Sequence, residues 1–306
     1  MFKQALRDIK SKVFNFKAGG LVENYWTRHV VNPKTFNSVD QSLDYLDQRF
    51  KEHPLFAEYM DLYNNVAGKT VIDYGSGPGD DLIGFLVRGK VRKIFGVDVS
   101  TRGLDLTRSK LKLHGISPER AELIHADDTS PKISIPNNVI DHIYSQGVIH
   151  HTSFPQEILA ELFRILKPGG TGRIMIYNKE SLWLHLYVAY VRMLETKDLA
   201  GRDLMDAFRM STDGMQCPIA RCYSPQEFLS MLEKAGFKAQ YLGGYYSDFE
   251  IDLFKTKVKQ ALASPALAQE HKDFLAQVTL DKDGYPQVQG VHVGVGGSFV
   301  ISKPRT

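Results

Sequence analysis

From residue 69 onward the chain alternates short apolar runs with longer amphipathic stretches. Thr70-Val71-Ile72-Asp73 is one such run; it ends in glycines, and Leu82-Ile83-Gly84-Phe85-Leu86 then carries a helical pattern. Residues 93–98 predict a second strand and residues 103–114 a helix. Further strands are predicted over 121–125, 140–145 and 172–177, each separated by a loop or helix. Strands alternating with helices at this spacing predict an α/β fold, doubly wound, with a mostly parallel sheet covered on both faces.

The flanks read differently. Residues 1–65 are mostly helical in pattern, with turn signals at Asn32-Pro33 and His53-Pro54, and are expected to form a helical cap. At their start Phe2, Leu6, Ile9, Val13 and Phe16 fall at helical spacing among Lys3, Arg7, Lys10 and Lys12. Such a basic amphipathic helix can lie on a membrane surface; Asp8 interrupts the charge and favours a helix packed on the domain. Residues 66–306 are expected to form the α/β domain, with a substrate-cap insertion over about 181–222. Within it comes a helical stretch near 181–210, then a loop carrying Asp213-Gly214 and Pro218. Ser224, with Pro225 behind it and Gly236 at the far end, brackets another helix. A strand near 238–242 and a last one at Ser298-Phe299-Val300-Ile301-Ser302 carry the pattern to residue 302.

Composition narrows the function class. The 306 residues are 43% hydrophobic and 24% charged, ample for a packed core. A net charge of +3 argues against a nucleic-acid partner, whose binding domains are strongly basic. The apolar run Leu182 to Val191 contains His185 and is too short to span a bilayer, so no integral membrane segment is expected. Cys217 and Cys222 cannot build a disulfide framework, which points to a cytoplasmic setting. Their C-x4-C spacing lacks neighbouring His or Cys to complete a tetrahedral set, so no metal site is expected.

The chemistry centres on Asp73-Tyr74-Gly75-Ser76-Gly77-Pro78-Gly79-Asp80-Asp81. Glycines between a strand and a helix permit a tight turn and close approach of backbone to a ligand. A dinucleotide fingerprint starting at Gly75 would need glycine where Asp80 stands. Acids opening the next helix suit its dipole but repel a pyrophosphate. They attract a sulfonium: unit charges 4 Å apart interact by about 4 kcal/mol at an effective dielectric of 20. Asp98 ends the second strand 19 residues past Gly79, where a carboxylate can accept ribose hydroxyls.

These motifs, followed by His125-Ala126-Asp127-Asp128, Tyr144-Ser145-Gln146-Gly147-Val148-Ile149-His150-His151-Thr152 and Leu166-Lys167-Pro168-Gly169-Gly170, resemble those of the class I S-adenosylmethionine-dependent methyltransferases in order and spacing over residues 68–178. Asp73-Tyr74-Gly75-Ser76-Gly77 stands where that family often has an acid and then Gly-Cys-Gly. The resemblance implies a seven-stranded Rossmann-like sheet with a reversed final strand, and S-adenosylmethionine as cofactor. It implies that Gly75, Ser76 and Gly77 line the methionine part, that Asp98 holds the ribose and that Asp127 and Asp128 lie at the adenine edge; Asp73, Gly79, Val99 and Gln146 are further candidate cofactor contacts.

The acceptor is expected to be a small molecule, methylated on oxygen, nitrogen or carbon. In-line methyl transfer depends mostly on alignment, with a base only where the acceptor carries a proton. His150 or His151 is the candidate base, at the carboxyl edge of the sheet. Tyr25 near the sulfonium and Arg49 at the methionine carboxylate are candidate cofactor contacts. Trp26, His29, Trp183 and Tyr187 are candidate substrate contacts, and a homodimer through the insertion is the alternative use of its apolar helix. A nicotinamide-dependent oxidoreductase and a non-catalytic S-adenosylmethionine-binding module are the competing classes.

Overall fold

A computed structural model describes residues 20–305 of the chain. The basic amphipathic helix expected over 2–17 lies outside the described residues. Ten strands are described: β1 (Thr70–Tyr74), β2 (Lys93–Asp98), β3 (Ala121–His125), β4 (Ile140–Gln146), β5 (Leu166–Tyr177), β6 (Lys238–Tyr245), β7 (Thr279–Leu280), β8 (Pro286–Val288), β9 (Val291–His292) and β10 (Gly296–Ser302). Seven of them form the main sheet in the order β3-β2-β1-β4-β5-β10-β6. β1 pairs in parallel with β2 and β4, and β10 runs antiparallel between β5 and β6. The expected doubly wound sheet with a reversed strand is therefore present.

Both faces of the sheet are covered. Along β1, Val71 points to one core with Leu82, Phe85, Phe56 and Met175, while Ile72 points to the other with Ile143, Leu159, Leu162 and Phe299. Alternation with period two sends neighbouring side chains to opposite faces. Burial on both sides explains why β1 reads as a continuous apolar run. The strand order reverses between β1 and β4, and ligands of open α/β sheets bind in the crevice at the carboxyl ends of such neighbours.

The amino-terminal helices are Leu21–Arg28, Val39–Glu52 and the short Phe56–Tyr59. The insertion comprises Trp183–Glu195, wound as a π-helix, and Leu204–Asp213, whose start is capped by the Asp203 side chain. Two predicted details change. β5 begins at Leu166 rather than near 172, taking in the stretch Lys167-Pro168-Gly169-Gly170.

Residues 246–295, for which the sequence suggested no elements, hold the helices Asp248–Ala263 and Gln269–Ala276 and a three-stranded sheet β7-β8-β9. Their Ile251, Leu253 and Leu275 share a core with Leu182, Leu186 and Ala189 of the insertion. The signal overlooked is Ser247-x-x-Glu250, a capping box in which Glu250 accepts from the Ser247 N–H.

Candidate active site

One cavity of about 630 Å³ opens at the carboxyl ends of β1, β2 and β4. Its floor is the glycine turn. Gly75 has φ +84°, and a Cβ there would overlap the Val148 side chain. Gly77 has φ +50° and open space where a Cβ would stand, facing the cavity. Both positions favour glycine in the left-handed region, but for different reasons: Gly75 yields to packing and Gly77 to whatever fills the cavity.

Asp98 holds this turn. Its two oxygens accept the Gly77 and Ser100 N–H groups, each at 2.7 Å, and the buried carboxylate lines the cavity. Desolvation raises its pKa against those two hydrogen bonds. Asp73 is buried at the end of β1, its Oδ2 without a partner, as is Oγ of Ser76. Burial first, then the charges of Asp81 and Asp98, push the Asp73 carboxyl well above its ordinary value. A carboxylate deprived of water is costly unless a donor or cation satisfies it. Val99 and Gln146 complete this end; Gln146 Nε2 donates to the Tyr245 hydroxyl at 3.1 Å.

The two acids that open the helix Asp80–Val87 are not bare. Lys110 pairs with Asp80 in a buried contact, and Arg49 donates to Asp81. Tyr63 and Tyr144 hydroxyls also donate to Asp81, at 3.2 and 2.9 Å. Their repulsion toward a phosphate is thus largely offset, and Asp73 is left as the acid of this end whose Oδ2 has no partner. Arg49 lines the cavity but is committed to Asp81, which corrects its expected role as a clamp on a ligand carboxylate.

Other expected residues lie away from the cavity. Asp128 accepts the N–H groups of Gly20, Val22 and Glu23, so it caps the helix Leu21–Arg28 rather than meeting adenine. Asp127 is satisfied by the N–H and hydroxyl of Thr129 and is not among the lining residues. Gly79 sits against Thr107 and starts a helix. Tyr25 turns its hydroxyl to the Asp213 carbonyl, and His29 stacks on Tyr25 at 4.3 Å. Tyr187 packs behind Trp183 and Phe249, its hydroxyl accepting from Arg192.

The far end of the cavity is walled by Val22, Trp26, Val30, Tyr177, Trp183 and Phe249. His150 and His151 part company here. His150 is fully buried, packed on Tyr177 at 3.9 Å, with both ring nitrogens unpartnered and off the cavity. Burial lowers its proton affinity, and its place off the cavity keeps it from an acceptor. His151 faces the cavity beside Trp26, with ring centroids 4.8 Å apart. Its Nδ1 donates to the Ile219 carbonyl at 2.7 Å, and its Nε2 lies 3.6 Å from Asp213 Oδ1. Burial pushes its pKa down to about 4. Asp213, read in the sequence as part of a turn, lines the cavity, accepts the Tyr177 hydroxyl at 2.8 Å and is raised by burial to about 7.

A family profile described as a methyltransferase domain matches residues 71–170, the span from β1 into β5 that contains Asp73, Gly77, Asp98 and His151. Residues 71–170 thus carry a methyltransferase domain of the class I S-adenosylmethionine-dependent kind. The chain is 29% identical over 121 residues to tRNA 5-carboxymethoxyuridine methyltransferase of Escherichia coli K12, covering 39% of this chain and 44% of that protein. It is 24% identical over 214 residues to the ubiquinone/menaquinone biosynthesis C-methyltransferase UbiE of Vibrio cholerae, covering 67% and 79% of the two. The chain thus spans less than half the length of the first curated relative. Its fold is shared with a chain from the complex of the Haloferax volcanii Trm112 methyltransferase activator with a methyltransferase (TM-score 0.53, 15% identity, 93% and 98% covered). It is shared as well with the YcgJ protein of Bacillus subtilis (TM-score 0.50, 15% identity, 86% and 99% covered).

S-adenosylmethionine is the cofactor that such a domain implies, and the residues present fit it. The orphaned oxygens of Asp73 and Ser76 await donors, and the missing side chain of Gly77 leaves room. Among the described residues no helix is long and apolar enough to cross a membrane.

Proposed function

We propose that the chain transfers a methyl group from S-adenosylmethionine to a small, partly apolar acceptor held in the same cavity. The observation that carries this reading is the continuity of that cavity from Asp73, Gly77 and Asp98 to the aromatic wall of Trp26, Trp183 and Phe249. The cofactor, when bound, supplies a methyl group on a positively charged sulfur. Asp98 would hold the ribose, Asp73 the α-ammonium, and the backbone of Ser76 and Gly77 the methionine part. Tyr177, His151 and Asp213 supply the polar groups at the acceptor end, set in apolar surroundings as ligand pockets commonly are.

Residues 20–50 and 181–222 act in this reading as the cap, since Val22 and Trp26 of one and Trp183 and Asp213 of the other line the cavity. Excluding water there strengthens the field of the fixed charges around a sulfonium. The apolar wall favours an acceptor like the quinone precursors implied by the name of the V. cholerae relative over a tRNA base.

Calorimetry with S-adenosylmethionine, S-adenosylhomocysteine and NAD tests the reading. Saturable binding of the first two and none of NAD is expected. Preferential binding of NAD would overturn it in favour of an oxidoreductase. With cofactor bound, hydrogen exchange in residues 20–50 and 181–222 is expected to slow; protection that follows protein concentration instead would make them a dimer surface.

A further inference from the structure

We propose that His151, Asp213 and Cys217 bind one divalent cation, zinc by preference, at the acceptor end of the cavity. Side-chain donor atoms of these three residues all lie within 4.8 Å of one another. The C-x4-C spacing does not describe this cluster: Cys222 turns away to the Met205 sulfur at 3.6 Å, while Cys217 meets Asp213, four residues before it, and His151, 66 residues before it.

Four features of the cluster suit a metal. The 3.6 Å between His151 Nε2 and Asp213 Oδ1 is long for a hydrogen bond. It approaches the roughly 3.3–3.5 Å separating two ligands on tetrahedral zinc with bonds of about 2.0–2.1 Å. The Nδ1–H of His151 donates to the Ile219 carbonyl, which fixes the tautomer that leaves Nε2 with a free lone pair. Metal-bound histidines are commonly oriented in this way. Asp213 has its Oδ1 held by the Tyr177 hydroxyl, while its Oδ2 is buried with no partner. The Asp213 side chain is only 7% exposed, so that oxygen has neither water nor a donor. Finally, the buried Cys217 thiol donates to the same Ile219 carbonyl at 3.3 Å, so one backbone group aligns two of the three ligands.

The charges balance. A divalent cation, one thiolate, one carboxylate and a neutral imidazole sum to zero, which lessens the cost of burying the set. Binding displaces the Cys217 thiol proton to solvent, and no electron moves. His151 and Asp213 line the cavity, so with three protein ligands the remaining position opens toward the acceptor. That is the arrangement of catalytic rather than structural zinc. A metal placed there lowers the pKa of a bound hydroxyl or thiol. Given the methyltransferase reading above, it therefore selects acceptors methylated on oxygen or sulfur over those methylated on carbon; the binding itself does not depend on that reading.

The full chain, stripped with chelator, is titrated with zinc against a chromophoric competitor, and with cobalt by absorption spectroscopy. One equivalent is expected to bind, with release of a proton and a thiolate-to-cobalt charge-transfer band. Cys217→Ser should abolish the band, and Cys217→Ser or His151→Gln should weaken zinc at least tenfold. Cys222→Ser should change neither. Absence of saturable binding, absence of the band in the wild-type chain, or binding that survives both Cys217→Ser and His151→Gln overturns the proposal. Should Cys217→Ser fail to fold, the wild-type band and His151→Gln decide. S-adenosylhomocysteine titrated into the same samples reports the cofactor site separately, so loss of one reading is distinguishable from loss of the other.

Discussion

Arg49 donates from both guanidinium nitrogens to the carboxylate of Asp81, at 2.8 and 3.2 Å, with the two side chains only 15% and 9% exposed. Removing one member of a buried pair strands the other charge and typically costs about 3–5 kcal/mol. Arg49→Met is accordingly expected to lower stability by about that amount in urea denaturation. The competing role as a ligand clamp predicts the reverse pattern, an unchanged urea midpoint with weakened S-adenosylhomocysteine binding.

Asp73 sets a pH dependence of cofactor affinity. Its carboxyl is raised in the folded chain by burial and by the charges of Asp81 and Asp98. A raised acid binds its proton more readily folded than unfolded. Its contribution to stability is thus fully present below the unfolded value of about 3.9 and is lost as pH rises through the folded value. An α-ammonium group beside it favours the ionised form, so binding is expected to release a proton and affinity to fall on acidification. Calorimetry of S-adenosylhomocysteine in buffers of different ionisation enthalpy measures that proton. Asp73→Asn is expected to remove the proton release and flatten the pH profile; an unchanged profile would clear Asp73 of this role.

The two glycines of the turn should fail in different ways. Gly75→Val places a branched side chain against Val148 and is expected to lower the melting temperature sharply. A Cβ at Gly77 meets no protein atom within 4 Å. Its left-handed φ costs about 1–2 kcal/mol, leaving the fold largely intact while filling cofactor space. Thermal melts paired with S-adenosylhomocysteine titrations separate the two. Tight binding retained by a folded Gly77→Val variant would place the cofactor elsewhere.

Asp128 connects cap to domain. It accepts three N–H groups at the start of the helix Leu21–Arg28, whose Val22 and Trp26 line the cavity. Asp128→Ala removes an N-cap and is expected to cost about 0.5–2 kcal/mol. Hydrogen exchange should quicken over residues 20–28 more than elsewhere. A direct adenine contact would instead leave exchange of the free protein unchanged.

The sheet and its cofactor turn were legible in the sequence because both are local. Period-two burial, glycines at a strand end and acids at fixed offsets are properties of consecutive residues, and they located β1, β2, β4 and the cavity floor at Gly75, Ser76, Gly77 and Asp98. The sequence determined equally that a loop would follow β4 with two histidines. It did not determine which of them faces the cavity. That depends on the Ile219 carbonyl, 68 residues away, which turns His151 toward the cavity while His150 packs on Tyr177. Partners decided the carboxylates in the same way: Arg49 claims Asp81, Lys110 claims Asp80, and three amides of the cap claim Asp128, whereas Asp73 Oδ2 has no claimant. A side chain's function follows from which donors and acceptors reach it first once water is excluded. Only the tertiary structure brings Cys217 and Asp213 to His151 and commits Cys222 elsewhere, since their contact closes long loops that no local pattern records.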